Sequence, residues 1–99
     1  MGIGDADPDL FDAAEFGDLD WVERSIGSLG LNGKPVNINA QDNGGKTILM
    51  IATRYNHIDV VRFLLEKGAD PNIRDKRGHT ALIEAQAGGH KELIELLTD

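Results

Sequence analysis

The chain has 99 residues, 40% of them hydrophobic and 27% charged, with no cysteine; it fits one small soluble domain without disulfides, thiolate metal sites or thiol redox chemistry. Its formal net charge of −7 makes it a poor partner for nucleic acid, because phosphate repulsion would have to be overcome. No apolar run approaches the ~20 residues of a membrane span, and Met1 to Asp7 lack the basic region and apolar core of a secretion signal, so an intracellular, cytoplasmic protein with no membrane partner is expected.

Residues 1–7 are rich in Gly and Asp and are expected to be flexible. Asp7 is placed to cap a helix whose first residue is Pro8, where the missing N–H costs nothing. Leu10, Phe11, Ala13 and Ala14 supply its apolar stripe, and it ends near Phe16 and Gly17. A second helix follows from about Leu19 to Ile26, with Trp21, Val22 and Ile26 facing inward. Gly27 to Pro35 holds three glycines and a proline in nine residues and reads as a loop. Residues 1–30 sum to −7, whereas residues 31–99 balance to zero. Solubility and pairing with helix N-termini account for that excess; a basic partner docking at that end is the alternative.

From Asp42 onward the chain writes one stretch twice. Asp42 maps to Asp75, Gly45 to Gly78, Thr47 to Thr80, Leu49 to Leu82, Ala52 to Ala85 and His57 to His90, each 33 residues apart. A fixed period of that length marks a solenoid of stacked units. Val36 to Gln41 and Ala69 to Arg74 are extended arms leading to turn tips at Asp42–Gly45 and Asp75–Gly78. Asp bonds its own backbone two residues on, and Gly accepts positive φ. Thr47 caps a helix through about Tyr55, and Ile58 to Lys67 form the next, stopped by Gly68. Thr80 caps a helix through about Ala87, and after Gly88 and Gly89 the last helix spans Lys91 to Thr98.

The period and the Thr-x-Leu-x-x-Ala core of each copy resemble the ankyrin repeat, whose signature is Thr-Pro-Leu-His-x-Ala. The resemblance covers about residues 8–99 and implies an all-α repeat solenoid: an ankyrin-like stack of three helix-turn-helix repeats with β-turn fingers. The repeats are 8–41 with the loop insertion, 42–74, and 75–99 as a C-terminal cap. Two departures stand out. The family's proline is Ile48 and Ala81 here, and its histidine is Met50 and Ile83, so each helix start rests on Thr47 or Thr80 alone. In the third copy Glu84, Gln86 and Thr98 replace Ile51, Thr53 and Leu65. Such polar residues suit the outer face of a last repeat, and a complete three-repeat monomer is expected.

No catalytic constellation is visible. His57 and His90 occupy one repeat position, and in ankyrin-like chains this histidine bridges loop backbone. No two histidines fall at i, i+4 on a helix, and no carboxylate stands at metal spacing from one. Neither Ser25 nor Ser28 lies in a nucleophile elbow. Gly45-Lys46-Thr47 suggests a phosphate loop, but the first glycine of that motif would fall on Ala40. An enzyme, a cofactor and a metal site are therefore not expected.

A surface remains. The resemblance implies a concave groove lined by turn tips and first helices. The groove positions free to vary are Asn43, Gly44, Lys46, Arg54 and Tyr55 in the second repeat, and Lys76, Arg77, His79 and Ala87 in the third, with Arg74 on the approach. Glu15 and Phe16 hold the matching helix positions in the first repeat. Lys46, Arg54, Arg74, Lys76 and Arg77 make this set basic, and Arg and Tyr are common interface anchors. A non-catalytic protein-interaction module is expected, with Asn43, Lys46, Arg54, Tyr55, Arg74, Lys76, Arg77 and His79 binding an acidic or mixed-charge segment of another protein. The alternative is a structural element that self-associates or belongs to a larger repeat array.

Overall fold

The computed structural model describes residues 8–27 and 37–98. Among them run six α-helices: α1 (Pro8–Phe16), α2 (Leu19–Gly27), α3 (Ile48–Arg54), α4 (Ile58–Glu66), α5 (Ala81–Gly88) and α6 (Lys91–Thr98). The segment 1–7 expected to be flexible, the expected cap at Asp7 and all of the expected Gly27–Pro35 loop beyond Gly27 lie outside the described residues.

Local chemistry sets the helix starts. Thr47 and Thr80 are extended, and their hydroxyls accept the N–H groups of Met50 and Ile83 at 3.3 Å. Each satisfies one of the donors that a helix start leaves open. The α1–α2, α3–α4 and α5–α6 turns each place one residue in left-handed backbone, at Gly17, Asn56 and Gly89 (φ 74°, 60° and 69°). Two helices so joined fold back on each other in every repeat.

The helices lie in two layers. In one, α1 packs on α3 and α3 on α5; in the other, α2 packs on α4 and α4 on α6. The central repeat is sandwiched: Leu49, Met50, Val60, Val61 and Leu64 are fully buried. The short stack is longest in one direction, with principal extents of 37 × 27 × 21 Å. The radius of gyration is 12.5 Å, close to the ~13 Å of a compact chain of this length.

Two expectations are corrected. Trp21 does not face inward; it is 46% exposed, while Val22 beside it is fully buried. Glu84 does not face water on the outer face; its side chain is 10% exposed and held by cations. Gln86 and Thr98 are exposed. The outer face is nonetheless not wholly polar. Leu82, Ile83, Ile94 and Leu97 correspond to Leu49, Met50, Val61 and Leu64, yet remain only half-buried. The central residues are covered on both sides, and their counterparts on one.

Candidate functional site

The turn fingers are built by aspartates. Asp42 Oδ1 accepts the N–H groups of Gly44 (2.9 Å) and Lys46 (2.8 Å). Asp75 Oδ1 accepts those of Arg77 (2.8 Å) and His79 (2.9 Å). A second pair of bonds repeats beside them. Gln41 Nε2 donates to the Gly45 carbonyl at 2.8 Å, and Arg74 Nη1 to the Gly78 carbonyl at 2.9 Å. The fingers are also tied to each other. Lys76 N–H donates to the Gly44 carbonyl at 3.0 Å, and Gln41 Nε2 to the Arg74 carbonyl at 3.2 Å. Gly45 is required there: with φ 82°, a Cβ would lie 2.9 Å from Lys76 N.

Asp75 is also the electrostatic centre. Its side chain is 1% exposed, and Oδ2 meets Lys46 Nζ at 3.2 Å and Arg77 Nη2 at 3.4 Å. Its carboxyl is held well below the usual carboxylate range, chiefly by the His79 N–H. Burial pushes the other way, while the Arg77 N–H and the Lys46 ammonium add to the lowering. Glu84 joins the same two cations, at 3.6 Å from Lys46 Nζ and 3.4 Å from Arg77 Nη2. His79 Nδ1 lies 3.9 Å from Glu84 Oε2.

This arrangement sorts the expected binding residues. Lys46 and Arg77 are engaged with Asp75 and Glu84, and His79 stands at the edge of that network. Their charge is therefore largely offset within the chain. Asn43 and Lys76 are exposed at the turn tips. Arg74 is exposed but spends one N–H on its own finger. Arg54 lies over the Tyr55 ring, 5.9 Å from its centroid, and Tyr55 is 47% exposed. A shallow recess of about 160 Å³ joins the three repeats, lined by Glu15, Lys46, Met50, Ile51, Arg54, Tyr55 and Glu84. Glu15 thus faces the recess, whereas Phe16 turns away from it toward Trp21. Glu84 is the residue that sequence reasoning missed, because its lengthwise match to Ile51 concealed its reach toward Lys46.

Asp75, His79 and Glu84 also correct the expectation that no carboxylate stands at metal spacing from a histidine. Their ligand atoms lie within 4.8 Å of one another. Lys46 and Arg77 already face both carboxylates at 3.2–3.6 Å, so a divalent ion would have to displace two cations to enter. His57 Nε2 lies 2.7 Å from the Glu15 carbonyl oxygen, and His90 Nε2 3.2 Å from that of Arg54. Both histidines join repeats. No described helix is long and apolar enough to cross a membrane.

Comparison with known proteins agrees with this architecture. Residues 10–99 match the family model for ankyrin repeats in three copies. The chain is 45% identical over 62 residues to the ankyrin repeat protein L92 of Acanthamoeba polyphaga mimivirus, across 62% of this chain and 15% of that protein. It is 42% identical over 67 residues to the human (Homo sapiens) NAD-capped RNA hydrolase NUDT12, across 68% of this chain and 14% of that protein. It is 39% identical over 91 residues to the mouse (Mus musculus) ankyrin repeat and SAM domain-containing protein 6, across 91% of this chain and 10% of that protein. The chain thus spans only 10–15% of the length of these relatives.

Proposed function

This chain belongs to the ankyrin-repeat family, and on that footing we propose that the face formed by its turn tips with α1, α3 and α5 binds an acidic or mixed-charge segment of another protein. Ankyrin repeats generally mediate protein–protein contacts, and such domains are typically non-catalytic. One observation carries the finer reading. Arg54, Arg74 and Lys76 have no carboxylate partner among the described residues, whereas Lys46 and Arg77 do. Arg54 lines the recess in which Tyr55 offers an exposed ring and Lys46 a fixed charge, and Arg74 and Lys76 are exposed at the third-repeat finger. A guanidinium grips a carboxylate in two places, and clustered charge speeds encounter. Asn43 and His79 extend the surface along the finger. Three repeats offer on the order of 600–800 Å² to a partner, near the lower end of stable interfaces. The chain acts as a monomer in this reading and does not engage nucleic acid.

The test is selection from a random peptide display library by the wild type and by the variant Arg54→Glu, Arg74→Glu, Lys76→Glu, with circular dichroism showing both folded. An acidic consensus that the wild type enriches and the variant loses is expected. No enrichment, or the same consensus with the variant, overturns the assignment. Arg77 is left intact because its reversal would disturb Asp75.

A second role, as an element of a longer array or a self-associating unit, has one observation in its favour: the half-buried Leu82, Ile83, Ile94 and Leu97 on the outer face. Light scattering at ~100 μM distinguishes it, since self-stacking would give a mass that rises with concentration.

A further inference from the structure

Two of the three exposed large aromatic side chains, Phe16 and Trp21, lie on the first repeat. Phe16, the last residue of α1, is 78% exposed, and Trp21, in the first turn of α2, is 46% exposed. Neither is needed to bury α1 or α2, whose inward faces are supplied by Leu10, Ala13, Ala14 and Val22. The two rings line one recess of about 250 Å³, with Asp12 and Asp18 as its charged members. This recess shares no residue with the one lined by Lys46 and Tyr55.

The recess is held in shape by its own backbone. Asp18 Oδ1 accepts the Trp21 N–H at 3.1 Å, which fixes the start of α2 against the α1–α2 turn. Gly17, between the two rings in sequence, has φ 74°, and a Cβ there would strike the His57 ring at 2.5 Å. The Phe16–Trp21 spacing is therefore anchored to the second repeat. Asp12 is exposed and has no partner among the described residues. Asp20 is occupied by Arg24 at 3.1 Å. Residues 8–27 carry six acids against Arg24 alone.

From this we infer that the Phe16–Trp21 recess is a second docking site, which takes an arginine side chain from a basic segment of a partner protein. The chemistry is complementary at each point. A guanidinium stacks on aromatic faces and is attracted to their negative quadrupole. Asp12 and the free oxygen of Asp18 then accept its N–H groups. The surrounding acids raise the local concentration of a basic chain. An acidic segment, as taken by the groove, would be repelled here. The two sites are thus separable by both residue and charge, and failure at one does not bear on the other.

Trp21 is the only tryptophan, so its fluorescence reports on this site alone. The probe is a fluorophore-labelled ten-residue Gly/Ser peptide carrying three arginines, titrated at low salt, with peptide anisotropy and Trp21 emission followed together. Saturable binding with a matching change in Trp21 emission is expected. Phe16→Ala should weaken it about tenfold, and Asp12→Asn severalfold. Glu95→Gln, which removes an equal charge from an exposed position on α6, should leave the affinity unchanged. Circular dichroism checks the fold of each variant, and none alters a buried residue. Four outcomes overturn the proposal: no binding, binding without a Trp21 response, equal binding of the peptide with citrulline in place of arginine, or equal weakening by Glu95→Gln and Asp12→Asn. A dimer mass by light scattering that Phe16→Ala abolishes would also overturn it, in favour of a second copy of the chain.

Discussion

His57 Nε2 lies 2.7 Å from the carbonyl oxygen of Glu15, forty-two residues earlier in the chain. The bond ties the end of α1 to the start of α4, and His90 repeats it onto Arg54. Space is kept for it. A Cβ on Gly17 would sit 2.5 Å from His57 Nδ1, whereas a Cβ on Gly89 would meet nothing within 4 Å. Both glycines have positive φ. Gly89→Ala should therefore cost about 1 kcal/mol of backbone strain, and Gly17→Ala roughly 2–3 kcal/mol, because a clash is added. In a His57→Ala background the cost of Gly17→Ala should fall to about 1 kcal/mol. Urea unfolding of the four proteins of this cycle measures the coupling. Additive costs would show that the ring is not what Gly17 accommodates.

Asp75 ties stability to acid. Its carboxyl is lowered in the folded chain, relative to an unfolded value of about 3.9. The folded state thus holds its charged form more tightly, and the benefit is present above pH ~4. It is lost progressively as the pH falls from there through the lowered folded value. Asp75→Asn should flatten that acid limb and leave a less stable protein at pH 7, since Lys46 and Arg77 are left with Glu84 as their one remaining anion among the described residues. Thermal melts of both proteins between pH 7 and pH 2.5 test this. An acid limb of equal steepness in the variant would assign the acid sensitivity to other carboxylates.

The same leucine is worth different amounts in successive repeats. Leu49 is 1% exposed between two neighbours, and Leu82, its counterpart, is half-buried. Leu49→Ala should cost roughly 3–4 kcal/mol, and Leu82→Ala about half of that. Against a stability on the order of 5–10 kcal/mol, the first change is severe. Denaturant midpoints at constant slope compare the two. Equal losses would mean that the outer repeat is as well covered as the central one.

The threonine caps predict opposite signs for neighbouring changes. Thr80→Ala removes the acceptor for Ile83 N–H and should cost about 1 kcal/mol. Ala81→Pro places proline at the first helical residue, after an extended Thr80 with ψ 175°. That backbone suits the residue before a proline, and the N–H lost is one a helix does not use. A gain of about 0.5–1 kcal/mol is expected through the unfolded chain. Differential scanning calorimetry reads both; a destabilising Ala81→Pro would show that the ring does not fit beside the buried Ala81 site.

Much of this protein is written locally. The 33-residue identities of Asp, Gly, Thr, Leu, Ala and His set the period. Turn and cap chemistry then fixed all six helices to within about a residue at each end, because an Asp turn or a Thr cap acts over three or four residues of its own chain. The bridging role of His57 and His90, which spans repeats, was legible only through the resemblance to the ankyrin repeat. What other side chains do across repeats was not. Glu84 matches Ile51 in register, yet it turns to Lys46 and Arg77, because two cations outweigh solvation at that position. The five basic residues expected at the groove look alike in sequence, and only packing divides them into two held by carboxylates and three without a carboxylate partner among the described residues. Trp21 has the spacing of a core residue, but Val22 and Ala14 already fill the space between α1 and α2. The repeat and its turns follow from interactions a few residues long. Which charges are satisfied and which rings meet water depends on groups up to thirty-eight residues apart in sequence, and is decided when the repeats stack.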